Sequence, residues 1–85
     1  MKIITNRAFD KKFLKLAPKI RAQFNNRVEL FKENSSNPLL KNHALHGDMS
    51  GLKAFSINGD FRVIYATINY ETVIFLSIGT HNQVY

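Results

Sequence analysis

The chain has 85 residues, of which 45% are apolar and 12% aromatic, and it contains no cysteine. This length supports one modest hydrophobic core but not a second domain, and the missing cysteines exclude a disulfide framework and a thiol nucleophile. Twelve lysines and arginines against six acidic residues give a net charge of +6. Such an excess favours a polyanionic partner, either a nucleic acid or an acidic protein segment.

The N-terminal residues do not predict export. Met1–Thr5 holds only a two-residue apolar stretch, which is too short for a signal peptide. No segment approaches the roughly 18 uninterrupted apolar residues of a membrane span. We therefore expect a single domain over residues 1–85 that is cytoplasmic and not associated with a membrane.

The first half of the chain predicts a strand and a helical hairpin. Lys2–Thr5 is the strand, and Thr5 or Asn6 can cap the helix that follows. Pro18 then suits the first turn of a second helix. Apolar side chains recur at helical spacing in both helices, at Phe9, Phe13 and Leu16 and again at Ile20, Phe24, Val28 and Phe31. These two apolar stripes predict a hairpin that covers one face of a flat layer.

The second half predicts a connection followed by an antiparallel meander. Residues 34–50 form the connection, and the strands are Leu52–Ile57, Phe61–Ile68 and Val73–Thr80. Asn58-Gly59, between the first two of these strands, is a strong hairpin signal. Together with the N-terminal strand, this order predicts an α+β fold, a mostly antiparallel sheet with the helical hairpin on one face. No further element is predicted after the last strand.

Polar groups able to do chemistry are predicted to gather near the sheet face that the helices leave free. They are Lys53, Ser56, Asp60, Arg62, His81 and Tyr85, joined by His43 and His46 from the connection. Metal-free RNA cleavage needs a base for the ribose 2′-OH, an acid for the leaving 5′-oxygen and positive charge at the phosphate. Histidine and aspartate supply proton transfer, and arginine binds phosphate through its fork. Tyr85 and Phe61 can stack on a displaced base.

Simpler interpretations of some of these residues stay open at this point. Asp60 directly follows Asn58-Gly59 and can serve only to complete the turn. His46 precedes a Gly-Asp pair and is typical of an ordinary loop. His43, His46 and His81 make a loose zinc set, but no cysteine supports it and a fourth ligand is missing, so we expect no metal.

Three stretches of the second half together resemble a known family. Leu40–Gly47, Gly59–Tyr65 and Gly79–Tyr85, in this order, are similar to toxins of the RelE/ParE superfamily, and above all to its YafQ-like branch of ribosome-dependent mRNA endonucleases. The similarity extends over nearly the whole chain, although the helical half matches by pattern alone. The resemblance implies the fold already predicted from the element order.

The resemblance also implies roles for individual residues. His43, Asp60 and His81 correspond to catalytic positions. Among them we assign His81 as general acid and Asp60 or His43 as general base. Tyr85 corresponds to a terminal aromatic residue that stacks on a base or positions it.

Other positions depart from the YafQ-like pattern. Phe61 stands where the YafQ protein has tryptophan, and Arg62 matches the phosphate-binding arginine of the RelE Gly-Tyr-Arg motif. Ser56 stands where YafQ-like toxins carry another catalytic histidine, and a serine does not titrate near neutral pH. Any acid–base role at that position is therefore vacant or moved to Asp60, His43 or His46. Lys53 is a further candidate for phosphate contact.

The function implied by the resemblance is that of a toxin that cleaves translated mRNA by 2′-OH attack, without metal or cofactor. Its implied partners are a cognate antitoxin, the ribosome and mRNA, and a toxin–antitoxin hetero-oligomer that binds operator DNA. Two alternatives remain at this stage. One is a ParE-like inhibitor of DNA gyrase, and the other is an inactive module, degenerate at Ser56, that only captures an antitoxin or RNA.

Overall fold

A five-stranded sheet organises the molecule, and the computed structural model describes all residues from 1 to 85. In chain order the elements are β1 (Lys2–Thr5), α1 (Arg7–Leu14), α2 (Pro18–Glu33), β2 (His43–Ala44), β3 (Lys53–Ser56), β4 (Phe61–Asn69), β5 (Thr72–Thr80) and α3 (His81–Val84). Two short 3-10 helices, Pro38–Leu40 and Gly47–Met49, flank β2.

The order of the strands across the sheet is β1-β5-β4-β3-β2. Strand β1 runs parallel to β5, and every other neighbouring pair is antiparallel. The predicted α+β fold, with its antiparallel meander and its helical hairpin, is therefore confirmed. None of the helices is both long and apolar enough to cross a bilayer.

The breaks between the first elements follow from local capping. The Asn6 side chain accepts a hydrogen bond from the Phe9 N–H at 2.7 Å, so the chain leaves β1 and begins α1 at once. Pro18 occupies the first turn of α2, where its missing N–H has no intrahelical partner to lose. Both predicted helix starts are confirmed.

One aromatic cluster holds the helical hairpin to the sheet. Phe31 of α2 is 1% exposed, and its ring centroid lies 4.8 Å from that of Phe55 on β3. The same ring meets Tyr65 on β4 at 5.1 Å and Phe75 on β5 at 6.0 Å, both edge-on. Phe9 of α1 belongs to the same cluster, because its ring centroid lies 5.7 Å from that of Phe75. Phe31 therefore packs against three strands at once. Edge-on contacts of this kind stabilise the fold beyond the burial of apolar area.

Two segments differ from the prediction. The connection over residues 34–50 contains β2, which is only two residues long and pairs with Ala54 and Lys53 of β3. A strand this short shows no alternation in sequence and so leaves no signal. The tail after β5 was expected to carry no element, but His81–Val84 forms the short helix α3.

Truncating Phe31 should destabilise the whole fold. Because Phe31→Ala removes a ring packed against three strands, we expect the free energy of unfolding to fall by about 3–5 kcal/mol. Urea denaturation followed by circular dichroism measures this change. Leu14→Ala is the matched control, since Leu14 is 73% exposed and its truncation should change stability by less than about 0.5 kcal/mol. Equal effects of the two substitutions would contradict the assignment of Phe31 to the core.

A second test uses alkaline pH. Tyr65 is 3% exposed, and burial raises the pKa of its phenol above the ordinary value of 10.0. The folded chain then holds this proton more tightly than the unfolded chain. This contribution to stability is present below the ordinary value and is lost as pH rises through the folded value. Wild type should therefore lose stability more steeply above about pH 10 than Tyr65→Phe does.

Urea unfolding at several alkaline pH values measures the two slopes. Tyr70→Phe is the control because Tyr70 is 93% exposed, and it should keep the wild-type slope. If Tyr65→Phe also kept that slope, the buried phenol would not be the group that titrates.

Candidate active site

Asp60 and His81 are adjacent at one end of the sheet. Asp60 directly precedes β4 and His81 directly follows β5. Their neighbours Phe61 and Thr80 form the last residue pair of the β4–β5 ladder at this end. The His81 backbone N–H donates to the Asp60 carbonyl oxygen at 2.9 Å. Strand pairing thereby joins the backbones of two residues that lie 21 positions apart in sequence.

The β3–β4 turn is closed by Asn58 and not by Asp60. The Asn58 side-chain oxygen accepts from the backbone N–H groups of Asp60 and Phe61, both at 2.8 Å. The Asp60 carboxylate takes part in neither bond and remains exposed. The turn therefore uses the backbone N–H of Asp60 and not its carboxylate.

Arg62 folds back over the same turn. Its Nη1 donates to the carbonyl oxygens of Asn58 at 3.0 Å and Phe61 at 3.1 Å, and Nη2 donates to Gly59 at 3.4 Å. The chain's one salt bridge, Lys32–Glu29, lies elsewhere. The guanidinium is thus held in place by neutral acceptors, and its positive charge is not neutralised by a carboxylate.

Helix α3 fixes the orientation of the last residues. Thr80 and Gln83 form a capping box, in which each side chain bonds the backbone N–H of the other residue. His81 and Tyr85 are one turn apart, with ring centroids 4.5 Å apart and planes at 70°. The two rings therefore form one edge-on pair on one side of the helix.

The phenol of Tyr85 lies in the field of Arg62. Partial burial raises the pKa of Tyr85 above 10.0, while the positive charge of Arg62 acts in the opposite direction. The side chain is 43% exposed. At neutral pH it is an uncharged donor with an accessible ring face, which suits contact with a nucleobase.

We call Asp60, Arg62, His81 and Tyr85 the C-terminal cluster. His43 lies on the same sheet face as Arg62, because His43 pairs with Ala54 while Ser56 pairs with Arg62, and residues two apart on a strand share a face. Strand spacings place the backbones of His43 and Arg62 about 12 Å apart. Ser56 lies between them and is 5% exposed, so this face is less open than predicted.

His43 and Lys53 line a second feature, which we call the edge cavity. Its volume is about 390 Å³, and its polar lining includes the hydroxyl side chains of Ser35 and Ser36. Lys53 pairs with Tyr65, so it belongs to the opposite sheet face from Ala54 and reaches the cavity at the sheet edge. His43 and Lys53 thus line one cavity, apart from the C-terminal cluster.

Two predicted residues are not brought into either group. Phe61 packs against the core on the helical side of the sheet and lines a different cavity of about 370 Å³ with Lys12 and Lys15. His46 precedes the 3-10 helix Gly47–Met49, is exposed and makes no side-chain hydrogen bond there. No group of three or more histidine, aspartate or glutamate side chains is arranged to hold a metal ion.

Sequence reasoning missed the residues that hold the candidates in place. Asn58 was interpreted only as part of an Asn-Gly turn, although its side chain also accepts from two backbone donors. Thr80 and Gln83 follow the S/T-x-x-E/Q pattern of a capping box, which is a usable signal for α3. No local pattern could show that Tyr65 bonds Asn42, since they are 23 residues apart.

The helical hairpin packed on a mixed sheet is a fold that this chain shares with toxins of known structure. The sequence matches, over residues 1–85, the family described as "Bacterial toxin of type II toxin-antitoxin system, YafQ". The chain belongs to this family. No protein with a curated function matches it significantly in sequence.

Solved structures share the fold at low sequence identity. YafQ from E. coli strain BL21(DE3) superposes with a TM-score of 0.78 at 21% identity, covering 99% of this chain and 97% of that one. A YoeB/ParE toxin from Agrobacterium tumefaciens gives 0.79 at 18%, covering 95% and 99%. A chain of the archaeal RelE–RelB complex from Pyrococcus horikoshii OT3 gives a TM-score of 0.74 at 17% identity, covering 96% of each chain.

The close packing of α3 against Gly79 can be tested by adding one methyl group at this position. A Cβ at Gly79 would stand 2.9 Å from Gln83 Oε1 and 3.3 Å from Val84 Cγ1. Gly79→Ala should therefore push α3 away from the sheet and destabilise the protein by about 1–3 kcal/mol. Hydrogen exchange measures the effect, with faster exchange expected at the amides of Gln83 and Tyr85.

Gly59→Ala serves as the matched control, because nothing lies within 4 Å of a Cβ at that position. Unchanged exchange in α3 of Gly79→Ala would show that the helix does not depend on this contact.

Proposed function

We propose that this toxin is an endoribonuclease that cleaves translated mRNA on the ribosome, by attack of the ribose 2′-OH and without a metal ion. The observation that carries the proposal is the C-terminal cluster. Asp60, His81 and Arg62, whose guanidinium has no carboxylate partner, are residues at one end of the β4–β5 pair. These are the three kinds of group that such cleavage requires.

The reaction divides into two proton transfers. A base, either Asp60 or His43, takes the proton of the 2′-OH, and the 2′-oxygen attacks the adjacent phosphorus. The bond from phosphorus to the 5′-oxygen breaks, and His81 donates a proton to that oxygen. The products are a 2′,3′-cyclic phosphate and a free 5′-OH. Arg62 stabilises the charge that develops on the phosphate oxygens.

The remaining residues support binding. Tyr85, paired edge-on with His81, offers a ring face on which a displaced base can stack. Lys53 in the edge cavity contacts a neighbouring phosphate. The net charge of +6 favours the ribosome as the place of action, because ribosomal RNA presents dense phosphate.

An antitoxin is the proposed protein partner. E. coli YafQ has been solved in complex with DinJ, and the Pyrococcus horikoshii RelE in complex with RelB. The basic surface of this chain suits an acidic segment that orders on binding and shields the C-terminal cluster. Such a complex would further bind operator DNA as a hetero-oligomer.

The decisive experiment is primer extension on mRNA in a reconstituted translation mixture. Wild type should produce discrete cuts that require ribosomes, and His81→Ala should reduce cleavage by about 10²- to 10⁴-fold, the usual contribution of a general acid. His81 is exposed, so the thermal stability of the variant should be nearly unchanged.

His46→Ala is the matched control. It removes the same side chain from an exposed site outside both groups and should leave cleavage intact. Intact mRNA with wild type, or an equal loss in both variants, would contradict the proposed role of the cluster.

A further inference from the structure

The hydrogen bond made by His43 determines which of its ring nitrogens carries the proton. His43 Nδ1 lies 2.9 Å from the backbone carbonyl oxygen of Lys41. A carbonyl oxygen only accepts, so Nδ1 must be the donor. In the neutral ring the lone pair is then on Nε2, the nitrogen turned away from the backbone.

The backbone that supplies this carbonyl is itself held in an unusual conformation. Lys41 is the chain's one non-glycine residue with a positive φ, which is 49°. Its backbone N–H donates to the carbonyl oxygen of Pro38 at 3.2 Å. A left-handed conformation persists in such a residue only when its surroundings fix it. Lys41 is the C-cap of the 3-10 helix Pro38–Leu40, and the residue that follows it, Asn42, is held at both ends of its side chain.

Asn42 uses both ends of its amide. Its Nδ2 donates to the carbonyl oxygen of Ser35, just beyond α2, at 3.0 Å. Its Oδ1 accepts from the Tyr65 hydroxyl at 2.9 Å. The residue directly before His43 is thereby connected both to the helical hairpin and to the central strand β4.

Tyr65 anchors this connection in the core. It is 3% exposed, and its ring meets those of Phe31 at 5.1 Å and Phe55 at 5.9 Å. Strand β2, by contrast, is two residues long, exposed and at the edge of the sheet. Two backbone pairs alone would leave the orientation of His43 poorly defined, so Tyr65 and Asn42 supply the rigidity that the strand lacks.

We propose that Tyr65 and Asn42 are positioning residues that hold His43 as its Nδ1–H tautomer, with Nε2 free to act as the general base. The assignment of the base rests on the proposed nuclease function, whereas the tautomer does not. With Nε2 free to accept, we take His43 and not Asp60 as the general base that receives the 2′-OH proton. After that transfer both ring nitrogens of His43 carry protons. The backbone carbonyl oxygen of Lys41 still accepts from Nδ1–H, and His81 remains the general acid.

The tautomer can be measured without any activity. The ¹⁵N chemical shifts of the histidine rings, recorded at about pH 8 where histidine is ordinarily neutral, distinguish the two forms. His43 should be the Nδ1–H form, and exposed His46, without a ring hydrogen bond, is the internal reference. In Tyr65→Phe the His43 shifts should move toward those of His46. Tyr70→Phe, at an exposed site, should leave them unchanged.

Cleavage kinetics supply the second readout. At saturating ribosomes, Tyr65→Phe should lower kcat roughly 10- to 100-fold with little change in KM, because a misplaced base loses rate and not binding. Asn42→Ala should reproduce both effects, and it replaces Tyr65→Phe if that variant does not fold. Tyr70→Phe should keep the wild-type kcat.

The two proposals fail in different ways. Wild type that cuts no mRNA but shows Nδ1–H at His43 would overturn the nuclease function and support the positioning. An Nε2–H tautomer at His43 in wild type would overturn the positioning, even with full cleavage. The positioning would also be overturned if Tyr65→Phe and Asn42→Ala matched Tyr70→Phe in both the ¹⁵N shifts of His43 and kcat.

Discussion

The antiparallel pairing of β4 with β5 is the constraint on which the rest of the structure depends. On one face of this pair, Val63, Tyr65, Phe75 and Ile78 form the surface that the helical hairpin covers. At one end, the same register sets Asp60 beside His81. A slip of one residue would exchange the two faces, and it would remove both the core and the candidate site.

The two groups of candidate residues are supported in different ways. Within the C-terminal cluster, which the β4–β5 pairing assembles, each segment is held locally by the Asn58 turn or the Thr80 capping box, within a few residues of Asp60, Arg62 and His81. His43 depends on a long-range chain of hydrogen bonds from the core. His43, Arg62 and His81 therefore have defined neighbours without being buried, so they remain available to a polyanion.

Sequence patterns predicted the elements whose signals are local. The caps at Asn6 and Pro18, the apolar stripes of both helices and the Asn58-Gly59 turn each act within a few residues, and each was confirmed. Strand β2 was missed because two residues carry no periodicity. Helix α3 was missed although its capping-box pattern was visible. The roles proposed for His43, Asp60, Arg62, His81 and Tyr85 stay predictions.

The site could be predicted only in part, because it depends on which strands become neighbours. Composition and spacing indicated the residue types, but they could not show that Phe61 packs toward the core while Arg62 turns back on the hairpin. They also gave no sign that His43 and Lys53 share a cavity at the sheet edge. These facts follow from register and from side-chain packing between distant segments.

The parallel pairing of β1 with β5 has a consequence for the order of folding. It joins Lys2 to Thr72, whereas β3, β4 and β5 are successive neighbours along the chain. Closing so long a loop costs entropy before any contact repays it. We therefore expect the meander to form first and β1 to dock last and detach first. Every candidate site residue lies between His43 and Tyr85, so fraying of β1 would leave the site assembled.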